Sequence, residues 1–291
     1  MNPVALLLVC ISAALHALWN YWAKRAGDSL SFLWGFSLVM PLFAGAAVLG
    51  EWLIFSRPPN FATWKLAILG GIIQAVYISC MGTGYNRGDL SVVYPVSRGL
   101  APVVIAVLAW FLLHELPSAA GFVAIIVILL GTLILAYDLL RRPANTGTAT
   151  RPASSVKFAL FASVTIALYH IVDKAGAQGS SVLSYQFLME VVIAIIIAAL
   201  IIAKRRDAFR AEFRQHARLI FGASLLGYIS YALVITAMML ESVAYVAAAR
   251  NISILIGIGL GATRLREGTL SVRLLAGAFI VAGLFALAIG G

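Results

Sequence analysis

Charge is what this chain has least of. Lys, Arg, Asp and Glu make up 11% of its 291 residues, against about 25% in an ordinary soluble domain. That deficit excludes a soluble enzyme or binding module. With 62% hydrophobic residues and a mean hydropathy of +1.00, the chain reads as an all-α polytopic membrane protein. Acids are scarcer still, 11 against 21 bases, for a net charge of +10. The excess does not point to nucleic acid, because the bases sit in short connections between apolar runs, where Lys and Arg set topology. The two cysteines, Cys10 and Cys80, lie inside apolar runs as small hydrophobes, which excludes a disulfide framework. No G-x-x-x-x-G-K-[ST] stretch occurs, so ATP hydrolysis through a phosphate loop is excluded. The first ten residues, MNPVALLLVC, lack the basic start of a secretory signal and read as the beginning of a first span, not as a cleaved peptide.

What the chain does have is apolar segments of the ~20 residues that a bilayer crossing needs. Ten are predicted: 3–23, 30–55, 63–84, 91–113, 117–137, 156–173, 182–203, 217–240, 243–263 and 270–290. One polar stretch rich in Pro, Gly and Thr, residues 138–155, divides them into five and five. The predicted organisation is a first five-helix repeat over 1–137, a linker over 138–155 and a second repeat over 156–291. An odd number of spans makes the second repeat enter from the opposite face, so the halves form an inverted repeat around a central cavity. A single ungapped shift of 152 positions lays Asp89 on Glu241, Arg98 on Arg250, Leu113 on Leu265, Glu115 on Glu267 and Gly131 on Gly283. Sixteen of the 21 bases fall in connections after odd-numbered spans and three, Arg57, Lys65 and Lys174, after even-numbered ones. That bias predicts cytoplasmic odd connections and both termini outside. The longest basic connection, Lys204 to Arg218, is expected to be a solvated loop, with a short interfacial helix through Phe209 and Phe213 as the alternative.

The remaining two bases, Arg98 and Arg250, lie inside apolar spans. A charge at mid-bilayer costs at least ~2.5 to 3.5 kcal/mol, so each is a candidate functional residue. Guanidinium forks match carboxylate and phosphate groups. Around them are further polar and aromatic candidates for lining a cavity: His16, Asn20 and Trp19 in the first span, Tyr77 in the third, Tyr94 beside Arg98 in the fourth, Tyr228 and Tyr231 in the eighth, Tyr245 and Asn251 in the ninth. Pro102 is expected to free the carbonyl of Arg98 by a kink. Glu190 and Asp173 are the acids expected to form ion pairs or carry a coupling charge, with Arg98 or Arg250 as the partner of Glu190. The reading is a secondary active transporter that moves a small metabolite bearing a carboxylate, phosphate or phosphonate by alternating access. A proton is the candidate coupling ion, lipid the surrounding partner, and a monomer or homodimer the expected form. A cation or drug exporter that uses the intramembrane acids and a non-transporting lipid-handling or sensor protein remain alternatives. No catalytic residue, cofactor or metal site is expected: the Tyr137–Asp138 pair has no G-x-G-D companion, and no serine stands in a nucleophile context.

The first-span segment ALHALWNYWAKR, the segment GDLSVVYPVSRGLAP and the acid ending spans four and nine resemble the EamA-type transporters of the drug/metabolite transporter superfamily. The resemblance runs over essentially the whole chain. It implies a multi-pass carrier of the bacterial inner membrane with a basket-like ten-helix fold, its cavity lined by helices 1, 3, 4, 6, 8 and 9. The typical member carries a basic cluster between helices 2 and 3. Here that connection holds only Arg57 and Lys65, in line with the termini being outside.

Overall fold

The computed structural model describes residues 1–87, 97–98, 101–140, 152–253, 256 and 270–290. The described chain is helical, without strands. Its helices are α1 (Pro3–Arg25), α2 (Ser29–Phe55), α3 (Trp64–Arg87), α4 (Ala101–Leu113), α5 (Ala119–Leu140), α6 (Pro152–Gln178), α7 (Val182–Leu200), α8 (Arg206–Leu240), α9 (Val243–Ala249) and α10 (Leu270–Gly290). A π-helical turn, Ile201–Arg205, joins α7 to α8.

Local chemistry explains several boundaries. Asn2 caps α1, its side-chain oxygen accepting from Val4 N at 2.8 Å, and Pro3 follows, where a missing N–H costs nothing. Asp28 caps α2 through Leu30 N at 3.2 Å and the Ser31 hydroxyl at 2.7 Å. Ser181 caps α7 through Ser184 N at 3.0 Å. Two residues with positive φ, Ser56 at 53° and His114 at 56°, turn the chain out of α2 and α4.

By length and composition α1, α2, α3 and the continuous stretch Val182–Leu240 can each cross a membrane, and α4, α5 and α10 carry shorter apolar runs. The outer surface is apolar, with Leu53, Ile54 and Phe55 of α2 and Phe285 and Ile289 of α10 well exposed. The interior holds Ser12, His16, Asn20, Gln74, Arg98, Asp173, Glu190 and Arg250, all buried. A bilayer solvates such an exterior, and only protein or water can satisfy such an interior. The protein is a multi-pass membrane protein.

The main helix contacts are α5 with α10, α1 with α8, α3 with α6, α2 with α7 and α8, α3 with α7, and α4 with α6 and α9. Where α1 crosses α8, Ser12 and Ser230 exchange hydrogen bonds, each hydroxyl donating to the other's backbone carbonyl at 2.7 and 2.9 Å. At the α5–α10 crossing the glycines are reciprocal. A Cβ on Gly131 would stand 2.7 Å from the Ala276 carbonyl oxygen, and one on Gly283 would stand 2.9 Å from that of Ala124. The ends of the chain meet, Met1 N donating to Leu287 O at 3.3 Å.

The structure corrects one expectation. The basic stretch Lys204 to Arg218 is helical, not a loop: it forms the π turn and the first turns of α8, which bends at His216 (φ −120°, ψ 18°). The reason is amphipathic packing, because Phe209 and Phe213 stack with centroids 5.5 Å apart and Phe213 meets Phe221 at 6.4 Å. The polar linker is shorter than expected, since α5 runs to Leu140 and α6 starts at Pro152. Tyr94 and most of the segments expected before Ala101 and after Ser253 lie outside the described residues. Pro102 lies in α4, and the kink expected between it and Arg98 falls across residues 99–100, outside the described residues.

Candidate functional site

His16 is the centre of the buried polar interior. It projects from α1 on the stripe Ser12, His16, Asn20, whose spacing of four residues keeps all three on one face. Arg98, just ahead of α4, places Nη2 2.7 Å from His16 Nε2. Arg250, the residue that ends α9, places Nη2 3.2 Å from His16 Nδ1. All three residues are at most 4% exposed. A neutral imidazole has one acceptor nitrogen. The ring can therefore accept from one arginine at a time, while its other nitrogen presents a proton to the second. His16 separates two cations without neutralising either.

Trp19 packs on the ring, and Asn20 braces the backbone of the same turn. Trp19 meets the ring edge-on with centroids 4.7 Å apart and packs on Phe36 at 4.8 Å. Asn20 donates to the His16 carbonyl at 2.8 Å and accepts from the Tyr85 hydroxyl at 3.0 Å. His170 of α6 gives its Nδ1 hydrogen to Ile166 O at 2.8 Å, which leaves Nε2 as a buried acceptor without a partner. The charges of Arg98 and Arg250 both reach this second ring.

A second group of polar residues gathers on α3, α6, α7 and α8. Asp173 is fully buried and accepts from Tyr185 OH at 2.7 Å, Gln74 Nε2 at 2.8 Å and, at close range, Tyr231 OH. Three neutral donors thus take up a carboxylate that the sequence offered as an ion-pair partner. Glu190 stands on α7, 2% exposed, and the charge that reaches it is that of Asp173. Its Oε2 has no hydrogen bond, and neither has the Tyr228 hydroxyl. Tyr231 connects the two groups, since its ring lies 5.7 Å below the Arg250 guanidinium while its hydroxyl donates to Asp173. Tyr77 and Tyr231 flank Tyr169 at 5.4 and 6.1 Å, and Tyr169 stacks on His170 at 4.6 Å.

Of the residues expected to line a site, His16, Trp19, Asn20, Arg98 and Arg250 come together, and Tyr77 and Tyr231 join them through Tyr169. Tyr245 is engaged elsewhere: its hydroxyl accepts from Ser118 N at 2.8 Å and covers Gly121 at the start of α5. Asn251 is buried beside Arg250, with a side-chain amide nitrogen that has no partner. Sequence reading missed Tyr185 and the ion pair between the buried Lys174 and the half-buried Glu115. Lys174 also donates to Glu241 O at 2.9 Å, and Glu115 accepts from Val243 N at 2.9 Å, which caps α9. The only hint of this pair was a lysine next to an acid near a span end. At the other end of the bundle, Asp28 pairs with Arg205 at 2.8 Å and accepts from Asn86 at 2.7 Å, while Glu212 accepts from Asp28 N at 2.9 Å and contacts His216 at 2.6 Å.

Among the described residues no three His, Cys, Asp or Glu side chains stand together in a way that could hold a metal. No curated protein matches the sequence. A solved crystal structure, described only as that of a protein, shares the fold with a TM-score of 0.71 at 17% identity, over 99% of this chain and 97% of its own. Residues 3–137 match the EamA-like transporter family, whose members are membrane transporters and not enzymes. That match covers the first repeat, and it agrees with the resemblance of the first- and fourth-span segments to EamA-type transporters.

Proposed function

We propose that the protein is a secondary transporter that carries a small anion, with a carboxylate, phosphate or phosphonate group, across the inner membrane by alternating access. One observation carries this reading: two guanidinium groups meet on a single imidazole that can accept from only one of them. A dianionic or bidentate group would satisfy both forks at once and release His16. The aromatic residues Trp19, Tyr77, Tyr169 and Tyr231 would enclose the rest of the solute.

Alternating access requires two halves that exchange roles, and the packing supports such a pair. If α1 to α5 (within 1–137) correspond in order to α6 to α10 (within 156–291), then α1–α8 maps onto α6–α3, α2–α8 onto α7–α3 and α4–α6 onto α9–α1, all of which are contacts of the fold. The reciprocal glycines obey the same shift of 152 positions, as do their neighbours Ala124 and Ala276. Arg98 and Arg250 then belong one to each half. The charge bias favours both termini outside the cytoplasm.

The test is a thermal-shift screen of the purified protein against carboxylates, phosphates and phosphonates, followed by uptake into proteoliposomes. Stabilisation by a member of these classes, lost in both Arg98→Ala and Arg250→Ala, is the expected result. Stabilisation by organic cations alone would replace this reading with an exporter of cations that uses the acids.

A further inference from the structure

Three buried side-chain oxygens on α7 and α8 have no hydrogen-bond partner. They are Glu190 Oε2, Gln186 Oε1 and the Tyr228 hydroxyl. Their residues are 2%, 0% and 6% exposed. Gln186 stands one turn before Glu190 on the same face of α7, and its amide nitrogen donates to Tyr228 O at 3.3 Å, which points the amide oxygen away from that carbonyl. An amide oxygen and an ionised carboxylate can only accept. The Gln186 amide also hydrogen-bonds Glu190, so the carboxylate has that one donor, while among the described residues Glu190 Oε2, Gln186 Oε1 and the Tyr228 hydroxyl have none. Leaving such groups dry is costly, and an unneutralised buried carboxylate most of all.

The surroundings add negative charge. From α6, Asp173 reaches Glu190, and from α2, Glu51 reaches Tyr228 together with Glu190 itself. The neighbour on α3 is the neutral Gln74, whose amide lies 2.9 Å from the Met189 sulfur, next to Glu190 in sequence. The arginines are occupied at a different place, on His16. Among the described residues, none of these contacts places a cation beside Glu190.

We infer that Glu190, Gln186 and Tyr228 form a binding site for a single monovalent cation, a proton or Na⁺, separate from the arginine pair. One carboxylate balances one charge, and hard oxygen donors are what either ion takes. A single carboxylate would leave a divalent ion such as Ca²⁺ or Mg²⁺ only half neutralised, and Mg²⁺ in addition keeps its waters. The site communicates with the arginine pair through Asp173 and Tyr231, so its occupancy would supply the coupling ion of a transport cycle. It stands on its own observations and does not depend on the carried solute being an anion.

The experiment uses the full-length purified protein without any candidate solute. Dicyclohexylcarbodiimide attacks protonated carboxyls in apolar surroundings, and peptide mass spectrometry reads the labelled residue. We expect Glu190 to be labelled. Labelling that falls at least tenfold as pH rises, with no effect of Na⁺ against choline at constant ionic strength, identifies the proton. Labelling slowed at least tenfold by Na⁺ at fixed pH identifies Na⁺. No label on Glu190 at any pH, or a label indifferent to both ions, overturns the proposal. As a second measure, the dependence of the wild-type melting midpoint on the identified ion should vanish in Glu190→Gln. A Glu190→Gln protein that folds and keeps the full dependence also overturns it. The anion screen uses the arginine variants, so failure of either proposal leaves the other standing.

Discussion

The guanidinium of Arg250 stands 5.7 Å from the centre of the Tyr231 ring, and the hydroxyl of that ring donates to the carboxylate of Asp173. One side chain thus touches a cation with its face and an anion with its edge. The ring face is the electron-rich part that attracts a cation, and the hydroxyl is the polar handle that a buried carboxylate needs. Tyr231→Phe should keep the first contact and remove the second. The expected loss is ~1 to 3 kcal/mol of stability, for one donor withdrawn from a buried carboxylate that retains Tyr185 and Gln74. Tyr231→Leu should lose more, because the face goes as well. Equal melting midpoints for the two variants would show that the ring contact with Arg250 contributes nothing.

Arg98→Ala and Arg250→Ala each remove one of two charged forks. Charged hydrogen bonds contribute ~1.5 to 3 kcal/mol, so each variant should weaken binding of a carboxylate or phosphonate about 10- to 100-fold. Arg98→Lys should restore less than half of that free energy, because an ammonium is a point donor and not a fork. Isothermal titration against the best stabilising anion measures all three.

Lys174 and Glu115 form an ion pair of low exposure, 6% and 21% at the side chains. Removing one member leaves the other poorly solvated, which costs ~3 to 5 kcal/mol. Lys174→Met alone and Glu115→Gln alone should both lower the melting midpoint sharply. The double variant should recover part of the loss, by an amount reduced by the capping bond from Val243 N to Glu115. A double variant worse than either single one would show that the pair is not the main interaction there.

Asp28 lies outside the spans, in the connection before α2. Partial burial pushes its carboxyl up, but hydrogen bonds from Asn86 and Ser31 and the charge of Arg205 outweigh it and hold the group below its ordinary value. A lowered folded value means that its contribution is complete above the unfolded value, about 3.9, and is lost as pH falls through the folded one. The gap in melting midpoint between the native protein and Asp28→Asn should be widest above about pH 5 and close in acid. A gap that is flat with pH would remove the charge from this account and leave only the hydrogen bonds.

Gly131 and Gly283 allow α5 and α10 to touch backbone to backbone. A methyl on either would meet a carbonyl oxygen at 2.7 or 2.9 Å, and carbonyls in a helix cannot step aside. Gly131→Ala and Gly283→Ala should each destabilise by ~1 to 3 kcal/mol, as overpacking does. The two losses should be similar in size, given the reciprocal contacts. A neutral effect at one position alone would break the equivalence of the two crossings.

Much of this was legible in the chain, and for a physical reason. The shift that aligned Gly131 with Gly283 anticipated two glycines facing the same structural problem, and the structure sets them in one reciprocal interface. The first-span stripe was legible because helical periodicity puts Ser12, His16 and Asn20 on one face whatever surrounds them. Less legible was anything that depends on a partner far along the chain. Glu190 was expected against an arginine, yet the structure sets it among Gln186, Tyr228 and Asp173. Tyr245, beside Arg250 in sequence, turns to Ser118 instead. The helical start of α8 was hidden because its basic residues mark a connection, whereas its two phenylalanines decide its packing.

The sequence by itself determined that the chain lives in a bilayer and that certain polar groups are enclosed within it. The cost of moving a side chain out of water is set residue by residue, and hydropathy adds it up without knowing the fold. Only the tertiary structure decided which enclosed groups meet. His16 lies 82 residues from Arg98 and 234 from Arg250, and it joins them because helix packing, not chain distance, chooses neighbours. The same packing left three oxygens of α7 and α8 without donors, an arrangement to which no single stretch of sequence points.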